Sequence, residues 1–373
     1  MSTTKINSKN QNLLWAISAG RCEYEGCNKL LHTDILTKKK YNNAYIAHII
    51  ADEPNGPRGD VARSKELADN IDNLMLLCDN HHRLIDKVDV VGHPELRLLE
   101  MKRKHEDRIK RLTSIAPEMT SEIILFGANI GKHNSNLSFY AACEAIYPDF
   151  YPASDNAIEL GMKNTALTDG SEIYWAAEVE NLKIQFAQKI KHQLVRGDNT
   201  HYSLFALAPQ PLLIKLGVLL NDLYNVRVFQ KHREPSTWQW QQTDSNVSYI
   251  LKEPKEKGKT PVLILSLSAT ITHDRIRKVL GDNVSIWEVT IDTPRNDFLK
   301  TERLLSEFRQ MVRHTFEKIK THHGCVNLHL FPAMPISASV ELGRIWMPKA
   351  DMPIEIYDEN RGSNGFIKTI TIN

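Results

Sequence analysis

Two short pairs of metal-binding residue types, Cys22-x4-Cys27 and Cys78-x2-His81, stand 50 residues apart in this chain. Thiolate and imidazole at these spacings suit tetrahedral zinc. If both pairs serve one ion, everything between them must form a small module that returns to its starting point. The alternative makes Cys22 and Cys78 small buried hydrophobes. Two pairs within one polar segment of 115 residues favour a structural zinc bound by Cys22, Cys27, Cys78 and His81. The five cysteines are odd in number and widely spread, so they do not read as a disulfide framework.

The second pair lies in LLCDNHHRLID, residues 76–86, which carries two adjacent histidines. Neighbouring residues on a helix point about 100° apart. His81 and His82 therefore do not serve the same ion, and His82 needs another role. Upstream, His48 closes the apolar segment AYIAHII, and Asn73 stands in DNLMLLC. The chain thus carries His48, Asn73 and His82 in the order His–Asn–His. His48 alone would read as a core histidine.

CEYEGC, AHI, NIDNLMLLC and CDNHHRLID resemble an HNH endonuclease of the ββα-metal type, over roughly residues 15–112. The resemblance implies that His48 activates a water against a phosphodiester and that Asn73 holds the loop and the His48 imidazole in place. It makes His82 a ligand of a catalytic Mg2+ or Mn2+. Imidazole titrates near neutral pH, as a general base should, and a hard cation stabilises charge developing on phosphate. One position departs from the pattern: many such motifs place an acid before the first histidine, and here that residue is Ala47. Asp52, Glu53, Asp60 and Asp72 are nearby acids that could replace it. Arg58 and Arg63, on the following loop, read equally as phosphate contacts or solvated charges.

Residues 10–20 predict a short helix ending at Gly20, YNNAYIAHII a strand, and a helix opens near Asn80. LLEMKRKHEDRIKRLTSI predicts a charged helix with one apolar stripe of Leu98, Leu99, Met101, Ile109 and Leu112. IAPEMT reads as a linker, so the expected domains are 1–115 and 116–373. The first carries 19 Lys/Arg against 16 Asp/Glu, the remainder 28 against 29. A phosphate-binding N-terminal module is compatible with that mild asymmetry.

Beyond residue 118 the pattern becomes strand–turn–helix, which predicts mostly parallel sheets with crossovers. Two stretches look alike: FALAPQPLLIKLG at 205–217 and LFPAMPISASVELG at 330–343. Each is a strand, a Pro-rich turn and a helix ending near Leu-Gly, so two related α/β halves are expected. Ligands of such folds sit at the carboxyl ends of strands. The candidates there are Asn129, Lys132, Pro209, Gln210, Phe331, Pro332 and Met334. Trp238 and Trp240 alternate as on a strand, and read equally as base-stacking rings or as core. No GxGxxG or Walker A sequence is present, which disfavours a dinucleotide or ATP enzyme.

HYSLFALAPQPLLIKLG, FQKHR with WQW, and NLHLFPAMPISASVELGRIWMPK resemble the SAVED domain, a fusion of two CARF-like, Rossmann-type halves. The resemblance covers about residues 118–373 and implies a receptor for a cyclic oligonucleotide second messenger. An HNH module joined to SAVED resembles the effector nuclease of CBASS anti-phage systems. That implies messenger-gated, sequence-nonspecific cutting of double-stranded DNA by a homo-oligomer that grows on activation. The fold class expected is therefore a zinc-stapled α+β ββα-metal (HNH) module followed by an α/β domain of two CARF-like halves. Two other readings compete. One is a restriction-type HNH enzyme whose C-terminal domain recognises modified DNA, which that domain's net charge of −1 disfavours. The other is a catalytically dead, zinc-stapled interaction module, supported by Ala47. No apolar run reaches bilayer-spanning length and the N-terminus lacks a signal-peptide core, so a cytoplasmic protein without a membrane partner is expected.

Overall fold

The chain parts between Ala116 and Pro117, one residue from the expected linker boundary. The computed structural model describes residues 4–34, 36–131, 133, 135–162, 165–192, 201–243, 247–255, 258–360 and 365–373. No helix among them is long and apolar enough to cross a membrane.

The N-terminal unit opens with the helix Ser8–Ile17, capped by Asn7, whose side chain accepts from the Asn10 amide at 2.8 Å. The chain leaves it through Ala19 and Gly20, both at positive φ. Strand β1 (Ala44–His48) pairs antiparallel with β2 (Leu74–Cys78), in a register that sets His48 opposite Leu74 and Ala44 opposite Cys78. β2 is buried along its whole length and forms the floor of the module. It runs directly into the helix Asp79–Arg83 and a π turn, Leu84–Val88. This is a ββα arrangement.

The helix Glu95–Thr113 covers the module with Leu98 and Met101 buried, as the sequence pattern predicts. Leu112, expected on the same stripe, is exposed; Lys102 and His105 are buried instead. The reason is specific pairing. Lys102 meets Glu106, and His105 Nε2 lies 3.0 Å from the Ser18 carbonyl.

The C-terminal unit holds two sheets. β3 (Thr120–Gly127), β4 (Tyr151–Pro152), β6 (Tyr202–Leu207) and β7 (Val226–Val228) follow the order β4-β3-β6-β7, with β5 (Ile158–Leu160) also on β3, every pair parallel. The second contains β8 (Ile250–Lys252), β9 (Thr260–Ser266), β10 (Val284–Thr290), β11 (Leu328–Ala333), β12 (Ile354–Asn360) and β13 (Gly365–Ile372). Its order is β13-β12-β11-β9-β10-β8, parallel in the middle and antiparallel at both edges. The helix expected over 178–195 begins earlier, at Glu172, runs to Phe186 and ends in a π turn, Ala187–Lys191.

The internal repeat is real in space. Pro209 and Pro335 each stand just before a helix, Gln210–Leu220 and Ile336–Ile345. The two helices cross where their glycines meet. A Cβ on Gly217 would lie 2.0 Å from the Val340 carbonyl oxygen, and one on Gly343 would lie 2.0 Å from that of Ile214. Only residues without a side chain allow the backbones this close.

Beneath the first sheet, His201 stacks on Phe150 with ring centres 3.7 Å apart. Its Nδ1 lies 2.8 Å from the Ser121 hydroxyl, which meets the Ser203 hydroxyl at 2.8 Å. Burial, followed by the charge of Arg227, pushes the imidazole down to about 4.

Candidate functional site

The ligand atoms of Cys22, Cys27, Cys78 and His81 all lie within 4.8 Å of one another. His81 turns Nδ1 towards the thiols, 3.5 Å from Cys22 Sγ and 3.2 Å from Cys78 Sγ. Around tetrahedral zinc, with bonds of about 2.3 Å to sulfur and about 2.1 Å to nitrogen, such atoms stand about 3.6 Å apart. The donor set therefore fits zinc in both chemistry and spacing. Burial pushes the Cys22 thiol far up, so an ionised sulfur here needs a cation. The Cys78 amide donates to Cys22 Sγ at 3.4 Å, fixing one thiol against the other pair. Tyr24 lies flat on the His81 ring at 4.0 Å and 3°, and its hydroxyl meets His93 Nε2 at 2.9 Å.

His82 goes elsewhere. Its ring stacks on Tyr45 at 4.8 Å and 12°, and its Nε2 lies 3.3 Å from Asp86 Oδ2. Each of the adjacent histidines thus has its own tyrosine and its own polar partner, as the helical rotation between them predicts.

His48 ends β1, buried. Its Nε2 stands 2.8 Å from the Ala68 carbonyl oxygen. A carbonyl can only accept, so the proton resides on Nε2 and the lone pair on Nδ1. The hydrogen bonds of the Asn73 side chain go to Ile50 and Leu67, and that of the imidazole goes to Ala68. Asn73 Oδ1 accepts from the Ile50 amide at 2.8 Å, and its Nδ2 donates to the Ile50 and Leu67 carbonyls at 2.8 and 3.1 Å. Asn73 and His48 are thereby tied to neighbouring carbonyls, those of Leu67 and Ala68. Asn73 holds the loop; Ala68 holds the ring.

Arg58 is neither a phosphate contact nor a solvated charge. Its side chain is only 7% exposed. Nε donates to the Ile49 carbonyl at 2.6 Å, Nη1 to that of Ile85 at 2.7 Å, and Nη2 to Asp86 Oδ1 at 2.6 Å. Nη2 also reaches the His48 carbonyl at 3.4 Å. One guanidinium therefore bolts the end of β1 to the turn that follows His82. Burial would raise the Asp86 carboxyl, but hydrogen bonds from His82 and Arg58 outweigh it and hold it below the usual carboxylate range. Arg63 pairs on the surface with Glu95 and Asp60.

Ala47 is buried in the core with Leu74 to Leu77, where a carboxylate would lie among apolar side chains. The carboxylate beside His82 comes from Asp86, which sequence reasoning missed among Asp52, Glu53, Asp60 and Asp72. The readable signal was the four-residue spacing from His82, which places both on one helical face. His82 Nε2 and Asp86 Oδ2 offer one nitrogen and one oxygen 3.3 Å apart. Adjacent ligands of an octahedral Mg2+ or Mn2+ stand about 3 Å apart, so the pair would suit two positions of such an ion.

In the C-terminal unit, β3 and β6 pair Gly127 with Leu207, so Asn129 and Pro209 leave adjacent strand ends. Asn129 Nδ2 donates to the Thr165 and Leu167 carbonyls at 3.1 and 2.9 Å, and its own carbonyl accepts from the Tyr174 hydroxyl at 2.7 Å. Gln210 Oε1 accepts from the Met334 amide at 3.2 Å, joining the two proline turns. Lys132 lies outside the described residues.

Of the aromatic candidates, Phe331 and Trp238 are buried and Trp240 is half-buried. Phe331 is wedged between Tyr357 and Phe366, at 4.4 and 5.1 Å. Trp238, on an irregular segment and not a strand, meets Phe205 edge-on at 5.3 Å and is buried. Trp240 packs edge-on against His232 at 5.8 Å. Pro332 is buried on β11, opposite Leu265 of β9, and Met334 is buried after it. Sequence reasoning also passed over Gln230, whose Oε1 accepts from the Ser337 amide at 3.2 Å and hydroxyl at 2.8 Å.

Residues 182–372 match the family described as SAVED, the SMODS-associated and fused to various effectors sensor domain. No curated protein matches the chain. Among solved structures, the Acinetobacter baumannii Cap4 SAVED/CARF-domain containing receptor with the cyclic trinucleotide 2'3'3'-cAAA is similar at 12% identity and a TM-score of 0.43, over 84% of this chain and 62% of that chain. The Moraxella osloensis Cap4 SAVED/CARF-domain containing receptor is similar at 12% identity and a TM-score of 0.38, over 84% and 60%. The chain spans about three fifths of the length of these receptors.

Proposed function

For a chain that belongs to the SAVED family of sensor domains, we propose a metal-dependent, largely sequence-nonspecific double-stranded DNA endonuclease gated by a cyclic oligonucleotide, acting as an anti-phage effector. The observation that carries the nuclease reading is the chain of contacts from His48 through Arg58 and Asp86 to His82. It binds a candidate base and a candidate metal-ligand pair into one rigid constellation.

His48 Nδ1 takes a proton from water, while the Ala68 carbonyl stabilises the Nε2–H of the resulting imidazolium. Asn73 holds the Ile49–Ile50 backbone so that the ring keeps its aim. Tyr45 and Asp86 orient His82, and Arg58 keeps Asp86 ionised. A divalent cation held by His82 and Asp86 would stabilise charge on the phosphate and the leaving oxygen. A zinc ion held by Cys22, Cys27, Cys78 and His81 would be structural, since these four residues would supply a full tetrahedral set of ligands. Asp86 weakens the reading as a dead interaction module, since an acid is available without one at position 47.

The gate is assigned to the C-terminal unit on family membership. A cyclic oligonucleotide, taken up at the strand ends around Asn129, Pro209 and Gln210, favours an assembly of several copies. It does so by binding that state more tightly. The test incubates the protein with plasmid, Mg2+ and a panel of cyclic di- and trinucleotides. Cleavage is expected with one member of the panel and not without it. Full-rate cutting with no nucleotide present would remove the gate, and cutting that survives His48→Ala would remove the base.

A further inference from the structure

Between the zinc knuckle and β1 the chain forms a hairpin that the proposed chemistry does not use. Asp34 Oδ1 accepts from the Leu36 and Thr37 amides at 3.2 and 2.6 Å and from the Thr37 hydroxyl at 2.8 Å. The Lys38 amide donates to the Asp34 carbonyl at 3.0 Å, and the Asp34 amide to that of Lys39 at 2.9 Å. Lys38 takes a positive φ of 58°, and Thr33 and Lys40 close the hairpin as an antiparallel bridge. The returning arm of this built turn is Lys38-Lys39-Lys40, all exposed.

Among the described residues, none of these three ammonium groups has an ion-pair partner. Arg58, Arg63, Arg83, Lys102 and Lys104 of the same unit each meet a carboxylate; what sets Lys38, Lys39 and Lys40 apart from its remaining cations is that they are consecutive on a hydrogen-bonded turn. Three adjacent like charges on a fixed turn repel one another, and the carboxylate in the turn, that of Asp34, is taken up by the Leu36 and Thr37 amides and the Thr37 hydroxyl. The arrangement suits a partner that carries closely spaced negative charges of its own. A duplex presents one phosphate charge per about 1.7 Å of axis, and lysine meets phosphate as a point charge without reading sequence.

The placement agrees. Tyr45, whose ring stacks on His82, is five residues from Lys40, a span of at most about 17 Å of chain. A turn of duplex is about 34 Å long. That bound is shorter than one turn, so a single turn of duplex is long enough to reach from a phosphodiester at His82 to Lys40.

We propose that the Lys38–Lys40 arm of the hairpin is a backbone clamp for double-stranded DNA, gripping phosphates within one helical turn of the bond to be cut. The proposal rests on the nuclease reading. It gives that reading a substrate-holding surface outside the catalytic residues and a physical source for cutting without sequence preference.

The test uses the full chain carrying His48→Ala, so that DNA is bound and not cut. A 30-base-pair duplex is titrated over a series of KCl concentrations, with the same nucleotide panel present. Replacing all three lysines by alanine should flatten the slope of log affinity against log salt by about 2–3, at about 0.9 per lost phosphate contact. The weakening should be equal for duplexes of unrelated sequence, and Lys→Arg at the same positions should restore the slope. Zinc content and melting should stay unchanged. An unchanged slope with tight DNA binding overturns the clamp and leaves the nuclease reading intact. Absence of duplex binding by the parent chain under every member of the panel overturns the nuclease reading, and the clamp with it.

Discussion

Arg58 Nη2 and Asp86 Oδ1 lie 2.6 Å apart, and the other Asp86 oxygen faces His82 at 3.3 Å. The pair is thus part of the site's frame, since Arg58 also holds the carbonyls of Ile49 and Ile85. Replacing Arg58 by methionine strands a carboxylate and two carbonyls. The N-terminal unit should lose about 2–4 kcal/mol in denaturant unfolding, and cleavage should vanish. Lysine can replace one of these contacts but not the fork, so Arg58→Lys should recover stability only in part.

Asp86→Asn keeps the shape and removes the charge. If Asp86 shares the cation with His82, the Mg2+ concentration needed for half-maximal cleavage should rise about 10–100-fold. An unchanged metal requirement in a folded variant would return the search to Asp52, Glu53, Asp60 and Asp72.

The thiol cluster makes a prediction independent of activity. The purified protein should carry one zinc per chain by elemental analysis. Cys78→Ser should lose it and abolish the calorimetric transition of the N-terminal unit, leaving that of the C-terminal unit in place. A wild-type protein that folds fully without zinc would contradict the staple.

Gly217→Ala and Gly343→Ala each put a methyl group against a backbone carbonyl that no rotamer change can move. Each should destabilise the C-terminal unit by about 3 kcal/mol or more, at the upper end of overpacking. The double variant should cost less than the two singles added, because once the helices have separated the second methyl finds room. Strict additivity in urea unfolding would argue against a shared contact.

His201 gives the pH dependence a sign. Its folded value of about 4 lies below the ordinary value of about 6.5 for an unfolded chain. The unfolded state therefore takes up a proton first as pH falls. Stability from this group is complete above about pH 6.5 and declines towards pH 4. His201→Gln should flatten that limb of the stability curve; an unaltered limb would assign it to the buried His105 and His232 and the half-buried His329, whose values desolvation also lowers.

Much of this was legible in the residues, and for physical reasons. The zinc set and the His48–Asn73–His82 order are local spacings of rare residue types, and a spacing survives folding unchanged. The two proline-turn units were visible because a parallel strand and its crossover helix each leave a periodic apolar signature. What escaped was set by partners distant in sequence. Arg58 and Asp86 are 28 residues apart, and although the spacing of Asp86 from His82 is local, nothing near Arg58 in sequence marks it as the partner of that carboxylate. β12 and β13 alternate too weakly to stand out, and the burial of Trp238 and Phe331 depends on rings brought in by other strands. Asn73, expected to hold both the loop and the His48 ring, is hydrogen-bonded to Ile50 and Leu67, partners 23 and 6 residues away.

The crossing of Gly217 with Gly343 reaches beyond stability. If the two halves arose by duplication, each copy still stands guard over the other. A side chain acquired by either glycine is rejected by the backbone of the opposite repeat, at Val340 or at Ile214. The flanking strands and turns are free to diverge into unlike surfaces, while this one point of mutual exclusion keeps the pair in step. In an alignment of this family, the two positions should drift together or not at all.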